Sequence, residues 1–158
     1  MKIAAASILL WLPLMLFPQR TKEQPRRNAL EEIQIRHAAE PRPLLVFITA
    51  DWCSYCKLMK KKVFSNPEVT KKLQADFYFA ELNGEYTEPI VWQGQTYRYV
   101  PNGPCTGTHE LVQHLGAVNG KLTYPTLVVL DKNNGVLFRY GGLLTASEIV
   151  ALWEKVKS

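Results

Sequence analysis

Residues 44 to 57 read L-L-V-F-I-T-A-D-W-C-S-Y-C-K: six apolar or β-branched residues in a row, a short break, then two cysteines three positions apart. An apolar run without alternation has no wet side, so Leu44 to Thr49 reads as a strand buried on both faces and central in its sheet. P-R-P at 41–43 closes off whatever precedes it. On the far side, Leu58, Met59 and Val63 fall on one side of a helical pattern that ends near Phe64, which sets Cys53 at a strand-to-helix junction.

That position has chemical consequences. Free backbone N–H groups and the positive end of the helix dipole stabilise a thiolate, so a thiol there titrates well below the free value of about 8.5. Cys53 would then be nucleophilic near neutral pH. Cys56, one turn on, is close enough to close a disulfide with it and is shielded by the body of the helix, which suits a resolving role. Lys57 and Lys60 to Lys62 follow without interleaved aromatics and read as a solvated face. The formal charge of +5, from 19 basic against 14 acidic residues, is therefore a matter of solubility and steering, and nucleic acid is not expected as a partner.

The first 18 residues carry an early lysine and then 15 residues, Ile3 to Phe17, dominated by apolar side chains and interrupted by Pro13. The run is short of the roughly 20 residues of a spanning helix and has the layout of an export signal. No small-residue cleavage pair stands out near 17–21, so residues 3–17 as an uncleaved membrane tether are the alternative. Residues 19–27, polar with Pro25 and three arginines, read as a linker. A periplasmic or otherwise exported location follows, and there a cysteine pair tolerates oxidation.

The folded domain is expected over 28–158. Asn28 and Glu31 resemble a helix cap, with Leu30, Ile33 and Ala38 at helical spacing behind them. Ser65 or Asn66 caps a further helix with Pro67 in its first turn, and Phe77 to Leu82 reads as a second strand. Residues 84–123 form a long excursion containing a hairpin at Gln93-Gly94 and a short helix in T-H-E-L-V-Q-H-L-G. Thr126 to Leu130 and Val136 to Tyr140 then flank D-K-N-N-G as a second hairpin. Thr145 and Glu148 form a capping box ahead of a stripe of Ile149, Leu152, Trp153 and Val156. The order combines a parallel strand-helix-strand unit with an antiparallel C-terminal hairpin: an α/β mixed sheet covered by helices.

T-A-D-W-C-S-Y-C-K, V-F-S-N-P-E-V, Y-P-T-L-V-V-L-D and G-G-L-L-T-A-S-E together resemble the thioredoxin superfamily, in particular exported thioredoxin-like proteins and the C-terminal domain of the periplasmic thiol:disulfide interchange protein. The resemblance covers roughly 28–157 apart from the excursion. It implies a thioredoxin fold with an insertion before the proline strand, a cis Tyr124-Pro125 bond facing the cysteines, and thiol-disulfide exchange through Cys53 and Cys56 with no cofactor beyond that redox-active disulfide. Protein disulfides or dithiols would be the substrates, an upstream thiol donor the electron source, and Trp52 an apolar platform beside the site. The family's buried aspartate six residues before the first cysteine is here Phe47. Glu81 stands where a thioredoxin lysine would be, as a substitute proton acceptor for Cys56 or as a plain edge glutamate.

Two other readings stay open on sequence. Cys53, Cys56, Cys105 and His109 supply acceptable types and spacing for a zinc site, and a C-x2-C disulfide could merely staple a binding module. Cys105, in P-N-G-P-C-T-G-T, reads as exposed loop, either inert, partner-linked or regulatory, or a second redox relay. His37 and His114 read as surface or satisfied core residues. Trp92, Tyr97 and Tyr99 in the excursion are either a partner-docking surface or core filler.

Overall fold

The computed structural model describes residues 28–157, so the export-signal, tether and linker readings of 1–27 lie outside the described residues. Helix α1 (Asn28–Ala39) leads into strand β1 (Leu44–Thr49), then α2 (Ser54–Lys62), α3 (Pro67–Asp76) and β2 (Tyr78–Asn83). The excursion supplies β3 (Ile90–Trp92), β4 (Gln95–Tyr97), β5 (Tyr99–Pro101), β6 (Gly107–His109) and α4 (Glu110–Gly116). Strands β7 (Thr126–Leu130) and β8 (Val136–Gly141) and helix α5 (Ala146–Lys157) complete the chain.

The main sheet has the order β2-β1-β7-β8. β1 pairs parallel with β2 across the α2–α3 crossover and antiparallel with β7, while β7 and β8 form the C-terminal hairpin. The apolar run is buried along its whole length, as its missing alternation requires. Leu45 and Phe47, with Leu127 and Val129, pack against Met59, Val63, Val69, Leu73, Ile149 and Trp153 from α2, α3 and α5. Leu44, Val46 and Ile48, with Val128 and Leu130, face α1, α4 and the excursion. Full burial of each such side chain stabilises the fold by about 1.5–3 kcal/mol.

Local signals act as expected at several ends. Asn66 Oδ1 accepts from Glu68 N at 2.9 Å and Val69 N at 3.3 Å, with Pro67 at the first helical position. Glu148 Oε2 accepts from Thr145 N at 2.7 Å, and Thr145 Oγ1 accepts from Glu148 N at 3.3 Å. The first helix starts at Asn28, although the side chains of Asn28 and Glu31 lie outside those described. Two expectations need correction. The second strand starts at Tyr78, because Phe77 closes α3 by donating its N–H to Leu73 O. Leu58 is exposed, because the buried face of α2 runs through Cys56, Met59 and Val63 and Leu58 lies off it.

Gln93 and Gly94 take φ values of 50° and 77°, so β3 and β4 are joined by the two-residue turn whose backbone matches strand twist. The β5–β6 hairpin was not expected: its three-residue strands contain Pro101 and Gly107, which weaken any sequence signal for a strand. Trp92 and Tyr97 are buried against the α1–α4 face of the sheet, and Tyr99 is half-buried over Gly107. Trp92 and Tyr97 therefore serve as core filler.

Candidate active site

The chain leaves β1 through a turn in which Cys53 N–H donates to Ala50 O at 3.0 Å. Cys53 is the N-cap of α2, with extended φ and ψ of −73° and 104°, and its Sγ accepts from Cys56 N–H at 3.0 Å. One of the otherwise orphaned donors of the first turn is thus aimed at sulfur. The first turn of α2 holds no acid, and Lys60, Lys61 and Lys62 occupy its last turn, so the side chains do not oppose the axial field at Cys53. Cys53 and Cys56 are joined in a disulfide with S–S 2.00 Å. Both cysteines are buried in the oxidised form, Cys53 with 4% and Cys56 with 1% of its surface exposed. Their intervening neighbours Ser54 and Tyr55 project outward, Tyr55 being 62% exposed.

A rim of side chains surrounds this helix end. Trp52 is 63% exposed and meets Tyr124 edge-on at a centroid distance of 5.5 Å. Its indole N–H donates to Glu85 Oε1 at 3.0 Å. Asn83 ties the same region together: its Oδ1 accepts from Glu85 N at 2.9 Å, and its Nδ2 donates to Asp51 Oδ1 at 3.0 Å. Tyr124 lies over Gly84, where a Cβ would overlap its hydroxyl. Burial, and then the nearby Glu85 carboxylate, push the Tyr124 phenol above its ordinary value.

The Tyr124-Pro125 peptide bond is cis, and Pro125 O accepts from Gly142 N at 2.8 Å. Because β1 and β7 are antiparallel with Ile48 opposite Thr126, the Tyr124-Pro125 pair and Cys53 stand at the same end of the sheet. Tyr124 also packs on the cluster that contains both cysteines.

Phe47, fully buried, belongs to that cluster and contacts Phe64 at a ring distance of 4.7 Å. Glu81 is its register partner on β2 and therefore shares its face of the sheet. The Glu81 carboxylate makes an ion pair with Lys60, which lies one turn beyond Cys56 on α2. The position opposite Phe47 is thus a charged pair at the edge of the core, with Glu81 its more enclosed member.

The residues considered for zinc are not gathered. Cys105 is a free, exposed thiol in the β5–β6 loop. His109 is fully buried and uses both ring nitrogens on backbone: Nδ1 accepts from Leu111 N at 3.2 Å and Nε2 donates to Glu88 O at 3.1 Å. Burial holds its imidazole below the ordinary value. Among the described residues, no three His, Cys, Asp or Glu side chains are close enough to hold a metal ion. His114 is exposed beside Tyr97, whereas His37 is buried with its Nε2 unpartnered.

Asn83, Gly84 and Glu85 are the site residues that sequence reading missed. Their only signal is an Asn-Gly pair at a strand end, which marks a turn and says nothing of a neighbour 33 positions away.

The fold places this chain among well-characterised shapes. It superposes on a thioredoxin from Thermus thermophilus with a TM-score of 0.56 and 22% identity, covering 80% of this chain and 82% of that one. The C-terminal domain of DsbD from Neisseria meningitidis in its reduced form gives a TM-score of 0.52 at 18% identity, over 79% and 90% of the two chains. A DsbH oxidoreductase gives 0.52 at 16% identity, over 96% and 93%. Comparison with curated protein sequences finds no match. The sequence pattern described as thioredoxin-like domain matches residues 30–157, most of the chain, and with the four-stranded mixed sheet and the C-x2-C disulfide at its helix end this chain belongs to that family.

Proposed function

We propose that this protein is a thiol-disulfide oxidoreductase that acts on protein disulfides, working as a reductase outside the cytosol. The observation that carries the reading is the sulfur of Cys53 at the N-cap of α2, accepting the backbone N–H of Cys56. An amide aimed at sulfur favours the thiolate, the species that attacks disulfides.

In the reduced protein, the Cys53 thiolate attacks one sulfur of a substrate disulfide. A Cys53–substrate disulfide forms, and the other substrate sulfur leaves as a thiolate that takes a proton from water. Cys56 then gives up its proton and attacks Cys53 Sγ. The mixed disulfide breaks, the second substrate thiol departs, and the Cys53–Cys56 disulfide closes. Two electrons pass from the protein dithiol to the substrate, and an upstream thiol donor restores them. Glu81, with Lys60 as its partner, is the acceptor we assign to the Cys56 proton. The backbone beside cis Pro125 is the surface along which an extended substrate segment would lie, and Trp52 its apolar platform. The apolar stretch at residues 3–17 supports export, with or without retention as a tether.

The test is catalysed reduction of insulin disulfides by dithiothreitol. The wild-type chain should turn over and Cys53→Ser should fall to background; a disulfide that only braces the fold would give no turnover in either and a lower melting temperature in the variant. Direction is tested by the reduction potential of the pair. A value near the thioredoxin range of about −270 mV supports a reductase, whereas one near about −120 mV would make the protein an oxidant.

A further inference from the structure

We infer that Glu85 is a specificity-determining residue of the active-site rim, selecting substrate segments that carry lysine or arginine beside their disulfide. This rests on the oxidoreductase reading above.

Glu85 is held at both ends. Its backbone N–H is fixed by Asn83 Oδ1 and its carboxylate by the Trp52 indole N–H. Trp52 directly precedes Cys53 and is the most exposed aromatic of the rim, so a segment approaching Cys53 across that ring also passes Glu85. The indole is a neutral donor. It occupies one of several acceptor positions on the carboxylate and leaves the charge in place. No lysine or arginine among the described residues makes an ion pair with Glu85, whereas the glutamates at 32, 40, 81 and 154 each have one.

The charge is not isolated. Asp51, which precedes Trp52, accepts from Asn83 Nδ2, while Asn83 Oδ1 accepts from the Glu85 backbone N–H, so one amide links the two acidic residues beside the platform. On the helix side, Lys57 follows Cys56 as an exposed residue of α2, and Lys60 is taken by Glu81. In a chain of net charge +5, two carboxylates thus stand beside the Trp52 platform. Opposite charges about 7 Å apart in water attract enough to change an encounter about threefold, an effect that salt screens.

The full-length reduced protein is assayed on two peptides with the same internal disulfide, one flanked by lysine and one by glutamate, with neutral hydroxyethyl disulfide as the reference. Wild type should prefer the lysine peptide, by about threefold for each peptide charge, and the preference should shrink as salt is raised. Glu85→Gln keeps an oxygen for the Trp52 indole and removes the charge, so its lysine-to-glutamate ratio should drop toward that of wild type at high salt. An unchanged ratio in Glu85→Gln overturns the inference. So does an equal slowing of all three substrates, which would make Glu85 only a brace for Trp52. Wild type that reduces none of them removes the oxidoreductase reading itself, an outcome distinct from loss of charge preference alone.

Discussion

Gly84→Ala tests how the rim is held together. Gly84 follows β2, is buried, and is pinned on both sides of its backbone: its N–H donates to Thr49 O at 2.7 Å and its carbonyl accepts from His109 N at 2.8 Å. A Cβ placed there would overlap the Tyr124 hydroxyl and sit 2.5 Å from Cζ and 2.6 Å from Cε1, where ordinary contact begins at 3.4 Å. With the backbone held, the ring carbons have to yield by about 1 Å and the hydroxyl by about 1.5 Å, and overpacking of this kind costs about 1–3 kcal/mol. The displaced ring also loosens its edge contact with Trp52, an interaction worth about 0.5–1.5 kcal/mol. A loss of about 2 kcal/mol is expected, lowering the melting temperature by roughly 6–10 °C for a domain of this size. The decisive assay is a double-mutant cycle read by urea unfolding. In a Tyr124→Ala background the added methyl group meets no ring, and Gly84 has no left-handed φ to protect. There Gly84→Ala should be neutral or stabilising by about 0.4–1 kcal/mol through the unfolded chain. An equal cost in both backgrounds would refute the packing argument.

Acid should weaken the insertion through His109. Its Nδ1 is an acceptor and its Nε2 a donor, which fits only the neutral ring, and burial lowers its pKa. The unfolded imidazole takes up its proton near pH 6.5 and the folded one only lower, so this contribution is complete above about 6.5 and is lost as pH falls through the folded value. His109→Asn keeps a capping oxygen and does not titrate: it should be less stable than wild type at pH 8 and decline less steeply between pH 7 and 5, and parallel urea midpoints would refute this. Glu81→Gln should slow release of the Cys53 mixed disulfide in single-turnover experiments by about tenfold or more if Glu81 accepts the Cys56 proton. An unchanged rate and pH profile would leave Glu81 only as the ion-pair partner of Lys60.

Much of the fold was legible because its signals are local. A six-residue unalternating apolar run bounded by P-R-P reads as a strand covered on both faces, Ser65 or Asn66 ahead of Pro67 reads as a helix start, and Thr145 with Glu148 closes a capping box within one turn. The cysteine site was legible for the same reason: strand, turn and helix are contiguous, so Cys53 at the helix end follows from order along the chain. The β5–β6 hairpin was illegible because three-residue strands with proline and glycine carry almost no pattern. Trp92 and Tyr97 were ambiguous because a large aromatic serves equally as filler or as contact surface, and only the neighbouring α1–α4 layer distinguishes the two.

Sequence alone determined that Cys53 stands where a helix begins and that Cys56 follows one turn on, since that relation spans four residues and depends on backbone geometry. Tertiary structure decided everything that surrounds that sulfur. The Trp52–Glu85 bond, the Tyr124 ring over Gly84, and the Glu81–Lys60 pair opposite Phe47 each join segments more than 20 residues apart. Such contacts exist only after the parallel β1–β2 and antiparallel β1–β7 pairings bring three strand ends together, and strand register over that distance leaves no mark on the order of residues.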